Sequence, residues 1–190
     1  MGIILSSGCT QQQAGAFAPL GGVLFSVDDT YYLVDKYYSN LYGDRIFNES
    51  EIKRQTGLDD IYPPATNPII NQIQAKDIAA ERFNDIFTDT EFSNSELKDP
   101  YMIYNDKGEP SSWRVSAVRD NKVLKFVDID PKSGTLSGGG GCPSPYDKCV
   151  SWFTSQDARS TLIKYLSENG IQYNEISEGR YIAYPRIVPR

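Results

Sequence analysis

Between Trp113 and Gly134 the side chains alternate. Trp113, Val115 and Ala117 stand against Arg114, Ser116 and Val118, and past the polar run Arg119 to Lys122 the β-favouring composition resumes through Val123-Leu124-Lys125-Phe126-Val127-Asp128-Ile129. This pattern predicts two antiparallel strands. The second runs into Asp130-Pro131-Lys132-Ser133-Gly134. There Pro131 presets φ at the first corner, the Asp130 carboxylate can accept backbone N–H groups, and Gly134 tolerates positive φ, which makes Asp130 and Gly134 structural turn residues.

A different period precedes the hairpin. Asn67-Pro68, a cap followed by proline at the first helical position, opens a helix to about Phe87. Ile69, Ile73, Ala80, Phe83 and Phe87 share its buried face, Ala79 and Ile86 lie beside it, and Lys76, Asp77, Glu81, Arg82 and Asp85 form a solvated side. Upstream, TYYLVDKYYSNLY (30–42) places Tyr31, Val34, Tyr37, Tyr38 and Leu41 at helical spacings, with a strand as the competing reading. A short helix over Glu49 to Gln55 stops at Gly57, and Ile61 to Thr66, with its paired prolines, is a linker. Thr88 to Pro100 reads as an acidic loop and Tyr101 to Tyr104 as a strand.

Downstream, Ser137-Gly138-Gly139-Gly140-Gly141 offers nothing to pack and is expected to be a mobile connector. A phosphate-binding loop would need a lysine and a following helix, and Cys142-Pro143 follows instead. Val150 to Phe153 reads as a strand. Thr154 and Asp157 then form a capping-box pattern for a helix that buries Ala158, Leu162, Tyr165 and Leu166 and stops at Gly170. Strands over Ile171–Ile176 and Tyr181–Tyr184 complete a β-α-β-β unit, half of a ferredoxin-like order. The tail 185–190, PRIVPR, looks extended and suited to docking on a neighbouring surface. The fold class expected is α+β, in four stretches: 1–29 flexible or extended, 30–136 a helix packed on an antiparallel hairpin sheet, 137–149 a glycine-rich and cysteine-bearing loop, and 150–190 the β-α-β-β unit with its tail.

The helix around Ala75-Lys76-Asp77-Ile78-Ala79-Ala80, an intervening strand, and a hairpin closing through Val127-Asp128-Ile129-Asp130 and Ser133-Gly134 resemble the PepSY domain of secreted protease propeptides and envelope proteins. The resemblance covers about 67–136 and carries no catalytic signature. It implies an α+β module that binds or inhibits a protein partner outside the cytoplasm.

Composition narrows the chemistry. The 190 residues are 39% hydrophobic and 23% charged, enough for a real core. A net charge of −6 with scattered Lys and Arg argues against nucleic-acid binding. Histidine is absent, which excludes Ser-His-Asp and Cys-His catalysis and His-ligated zinc. Asp128 and Asp130 share a strand face, yet a D-x-D without further oxygen ligands is not a dedicated calcium site, so neither metal nor cofactor is expected. The 13 tyrosines and 11 prolines suit a secreted or surface protein.

The three cysteines divide into Cys9 and the close pair Cys142 and Cys149. Oxidation of the pair would close a loop of about eight residues and contribute about 2.5 kcal/mol, in an oxidising compartment only. Two free buried thiols or a metal site are the alternatives. Leu5-Ser6-Ser7-Gly8-Cys9 resembles a degenerate bacterial lipobox, with Cys9 as lipidation candidate and the only expected link to a membrane. Basic residues and a long apolar core are lacking before it, and an ordinary frayed terminus is the competing reading. Gly2 with Ser6 also matches a myristoylation offset, weakly. No run is apolar and long enough to span a bilayer.

The apolar stretch 15–27 is either an edge strand of the chain's own sheet or a strand added to another subunit. With the tyrosine stripe it supplies candidate interface residues: Phe17, Leu20, Val23, Leu24, Phe25, Tyr31, Tyr37 and Tyr38. Two functional readings result. The first is a non-enzymatic extracytoplasmic protein that acts through its surface, as a structural subunit of an envelope or extracellular filamentous assembly or as a PepSY-like binding or inhibitory module, partnered by another protein or by copies of itself. The second is a carboxylate-dependent glycan-acting enzyme that uses its tyrosines as a platform.

Overall fold

Alternating apolar residues require two layers to bury them, and in this chain the layers are helices laid on both faces of one sheet. The computed structural model describes residues 20–35, 43–64, 68–105, 107–142 and 149–184. The strands are β1 (Leu20–Val27), β2 (Thr30–Asp35), β3 (Arg45–Asn48), β4 (Tyr101–Tyr104), β5 (Pro110–Arg119), β6 (Lys122–Ile129), β7 (Leu136–Gly141) and β8 (Arg180–Tyr184). The described helices are α1 (Glu49–Thr56), α2 (Gln72–Ile86) and α3 (Ser155–Glu168). All eight strands form one mixed sheet in the order β3-β2-β1-β8-β4-β5-β6-β7.

Two antiparallel meanders are joined by the strand furthest along the sequence. β8 pairs antiparallel with β1, Ile182 opposite Gly22, and parallel with β4, Tyr181 opposite Ile103. The C-terminal residues are therefore not a separate β-α-β-β unit. Ile171 to Ile176 forms no regular strand, pairing with the sheet at an isolated bridge between Ile176 and Val27, and 150–153 likewise has an isolated bridge between Ser151 and Lys122. β1 pairs with β2 across position 29, β6 pairs with β7 across 129–136, and Val123 N–H donates to Val150 O.

Each helix covers its own patch. On one face α3 sets Ala158, Leu162 and Leu166 against Val23, Phe25, Val27 and Val34. On the other, Ile52 of α1 packs with Leu24, Leu33 and Ile182, and Ala75, Ala79 and Phe83 of α2 pack with Val115, Ala117, Val127 and Ile129. β1 and β2 are thus covered on both sides. Among the described helices, α2 is the one laid on β5 and β6, and it lies on one side.

Local chemistry sets the boundaries. All three helices open with a reciprocal capping box, Asn48 with Glu51, Asn71 with Gln74 and Thr154 with Asp157. α1 stops at Gly57 in the left-handed region. α2 starts later than Asn67-Pro68 suggested, because the cap is Asn71. Ile69 and Ile73, expected in the core, are 74% and 73% exposed. The stretch from Thr30 folds as a strand as far as Asp35, since Tyr32 and Val34 face α3 while Leu33 faces α1. The hairpin between β5 and β6 turns through Asp120 and Asn121, both at positive φ, residue types that tolerate this conformation.

The glycine run is a strand and not a connector. Gly138 to Gly141 lie opposite Asp128, Val127, Phe126 and Lys125 of β6. Glycine has poor strand propensity, but here the space above it is taken: a Cβ on Gly140 would stand 3.0 Å from the Phe126 ring, and one on Gly141 would stand 2.8 Å from the Leu124 carbonyl oxygen. Past Gly141 the Cys142 N–H donates to Leu124 O, the chain leaves the edge, and it returns so that Val123 N–H donates to Val150 O and Trp152 N–H to Asn121 O. Residues 149–152 therefore continue the line of β7, and the two ends of the excursion are clipped by a disulfide between Cys142 and Cys149, Cα–Cα 5.6 Å.

Candidate functional site

Polar chemistry concentrates on the α3-side face of β4 to β6, which no described helix covers. β5 and β6 put Arg114, Ser116, Phe126 and Asp128 on this face by strict alternation. Arg114 grips Asp128 through two parallel bonds, Nε to Oδ1 and Nη2 to Oδ2, each 2.7 Å, and its guanidinium lies 3.9 Å from the centre of the Phe126 ring. Beside it the Tyr101 ring packs 4.1 Å from Tyr181 and 6.2 Å from Trp152. Burial pushes the Tyr101 hydroxyl up from its ordinary pKa, and it does the same to Tyr181, whose hydroxyl donates to Phe153 O at 3.2 Å. The cluster is a closed set of partners.

Asp128 and Asp130, two residues apart at the end of β6, have separate partners. Asp128 is taken up by Arg114. Asp130 accepts from the Lys132 and Ser133 N–H groups at 2.9 and 2.7 Å and from the Ser133 hydroxyl at 3.0 Å, and Gly134 sits at φ 72°. These bonds, the Ser133 N–H first, hold the Asp130 carboxyl below its usual range. Elsewhere Glu96 is drawn down to about 2 by Arg119, whose Nε lies 2.5 Å from Oε1, and by the Ser93 N–H. Among the described residues no group of three or more His, Cys, Asp or Glu is placed to hold a metal. No described helix is long and apolar enough to cross a membrane.

The candidate interface residues scatter. Val23 and Phe25 are buried against α3 and Leu24 against α1, so they belong to the chain's own core and are withdrawn as interface residues. β1 is moreover an inner strand of the sheet and not an edge. Leu20 pairs with Tyr184 through its backbone, and Tyr31 is half-buried beside Leu24 and Leu33. Phe17, Tyr37, Tyr38 and Cys9 lie outside the described residues. Cys142 packs against the α2 cluster, and Cys149 is buried within it.

Three exposed features escaped the sequence reading. The first is the backbone of β7, exposed for nearly its whole length at one end of the sheet. The second is the opposite end, where β3 borders a cleft of about 420 Å³ whose far wall is α3. The third is the apolar pair Ile69 and Ile73 at the start of α2. Only the third had a signal in the sequence, two isoleucines flanking the Asn71 cap. The ends of the sheet depend on strand order, which no local pattern encodes. No protein-family model, curated protein or solved structure matches the chain.

Proposed function

We propose that this chain is a non-enzymatic extracytoplasmic protein that works through its surface, as a structural subunit of an envelope or extracellular assembly, with its middle third a PepSY-like binding module and Cys9 as the point of any lipid anchor. The observation that carries the reading is the pairing of chemistry with exposure. Charged side chains are spent on one another or on turns, Arg114 with Asp128 and Asp130 with its own loop, whereas β3 and β7 each have a single neighbour among the described strands. Unpaired strand edges are templates for another strand. The disulfide supports an oxidising compartment.

The test is made on protein purified natively from its source. Light scattering coupled to size exclusion is expected to give masses above 21.3 kDa that rise with concentration, and intact mass with and without reductant to report the closed disulfide and any acyl group on Cys9. Turnover of a glycan library would reverse the reading in favour of a carboxylate-dependent enzyme.

A further inference from the structure

We infer that the cleft along β3 takes an extended polypeptide strand, and that its occupant is the segment 185–190 of a second copy of this chain; this rests on the assembly reading above. Among the described strands β3 pairs with β2 alone. Arg45 and Phe47 turn their backbone groups to β2 and the Asn48 N–H is held by Glu51, so on the other edge β3 offers the N–H and C=O of Ile46, and a pair of bonds to them is what another polypeptide backbone supplies. Ile46 packs toward α3 and shares the lining with Tyr165, giving an apolar floor between an open strand edge and a helix. The polar rim is weighted toward acid. Asp44, Glu51 and Glu168 face Arg45 and Lys164, Glu51 lies on the Asn48 N–H at 2.9 Å, Lys164 is loosely paired with Glu168 at 3.9 Å, and the C-terminal end of α3 adds its partial negative charge.

The segment PRIVPR has the complementary composition, with Arg186 and Arg190 and no acid. Its prolines also fit an edge. Alternate residues of a strand direct their backbone groups to opposite sides, so Pro185 and Pro189 fall on one side with Ile187, and Arg186, Val188 and Arg190 on the other. Pairing through the second set loses no ladder bond, and the outward prolines stop further strands from adding. With Val188 beside Ile46, an arginine lies beside Asp44 in either strand direction. The donor must be another molecule. β8 is separated from β3 by β1 and β2, roughly 14 Å at the usual strand spacing, so a chain leaving Tyr184 would use up about four residues in crossing, the matching ones among them. The contact is heterologous, each copy giving one segment and receiving one, which builds rings or open filaments.

The experiment compares the full chain with a chain stopping after Tyr184, by light scattering over a wide concentration range, and titrates the synthetic peptide 184–190 into the shortened chain by calorimetry. The full chain is expected to assemble, and the shortened chain to remain monomeric and bind the peptide with saturation. N-methylation at Val188 should weaken the peptide at least roughly tenfold, while N-methylation at Ile187 should leave it unchanged. Asp44→Lys with Glu168→Lys should weaken the natural peptide and favour one carrying Arg186→Glu and Arg190→Glu. The N-methyl comparison uses the unaltered cleft, so it stands if that variant fails to fold. Assembly by the shortened chain, no uptake of the peptide, equal effects of the two methylations, or a monomeric full chain would each overturn the inference. Assembly by the shortened chain would still leave the functional reading in place, whereas glycan turnover would remove that reading whatever the peptide does.

Discussion

Asp130 does the work of several backbone partners at once. Its carboxylate accepts two N–H groups and a hydroxyl within one turn, and Gly134 closes that turn at φ 72°. Asp130→Ala is expected to lower stability, and Gly134→Ala to lower it by about 1–2 kcal/mol, because a Cβ there is strained and would meet Ile78 Cδ1 at 3.2 Å. Chemical denaturation of each variant checks both expectations. Glu96 makes a prediction about acid. Its folded pKa, about 2, lies below the unfolded value of 4.5, so its contribution is present above pH 4.5 and disappears as the pH falls toward 2. Glu96→Gln should flatten the loss of stability over that window and leave neutral stability less than wild type. The turn, the capping box at Thr154 and the β5–β6 hairpin were all legible in the sequence because each is decided by residues within a few positions of one another. The start of α2 was misplaced because Asn67-Pro68 and Asn71 compete as caps at similar local cost, and burial of Ala75, Ala79 and Phe83 favours the latter.

At the scale of elements, β7 shows how a strand can exist without strand-forming side chains. Its glycines gain their place from the ladder to β6 and from Phe126 and Lys125, which occupy the space their own side chains would need. The disulfide fixes both ends of the excursion that interrupts this edge. Replacing Cys142 and Cys149 together by serine should cost about 2.5 kcal/mol from loop closure, more once the burial of Cys149 is included. Hydrogen exchange should rise at Val123 and Trp152, the amides that hold the returning segment. Unchanged exchange at those positions would mean the clip is dispensable. Nothing in a run of SGGGG announces a strand, since the cause lies in β6. For Thr30 to Asp35 the aromatic spacing suited either period, and the sandwich between α1 and α3 decided it.

For the whole molecule, β8 is the joint. It is short, yet among the described strands it is the one that pairs with both the meander β1–β3 and the meander β4–β7, and Ile182 is buried there at 3% exposure. Ile182→Ala should lose about 2–5 kcal/mol and split a single calorimetric transition into two, the half holding the disulfide melting second. One sharp transition at lower temperature would show the halves coupled by other means. The α+β class was readable from the elements, but the single sheet was not, because it depends on residues near 20, 103 and 182 meeting across most of the chain.

The position of β8 also orders events in time. A ribosome delivers the central plank of this sheet after every other described strand, so until then β1 and β4 each present a raw flank and the architecture stays unfinished. The two halves of the sheet can therefore join only once that strand has been made.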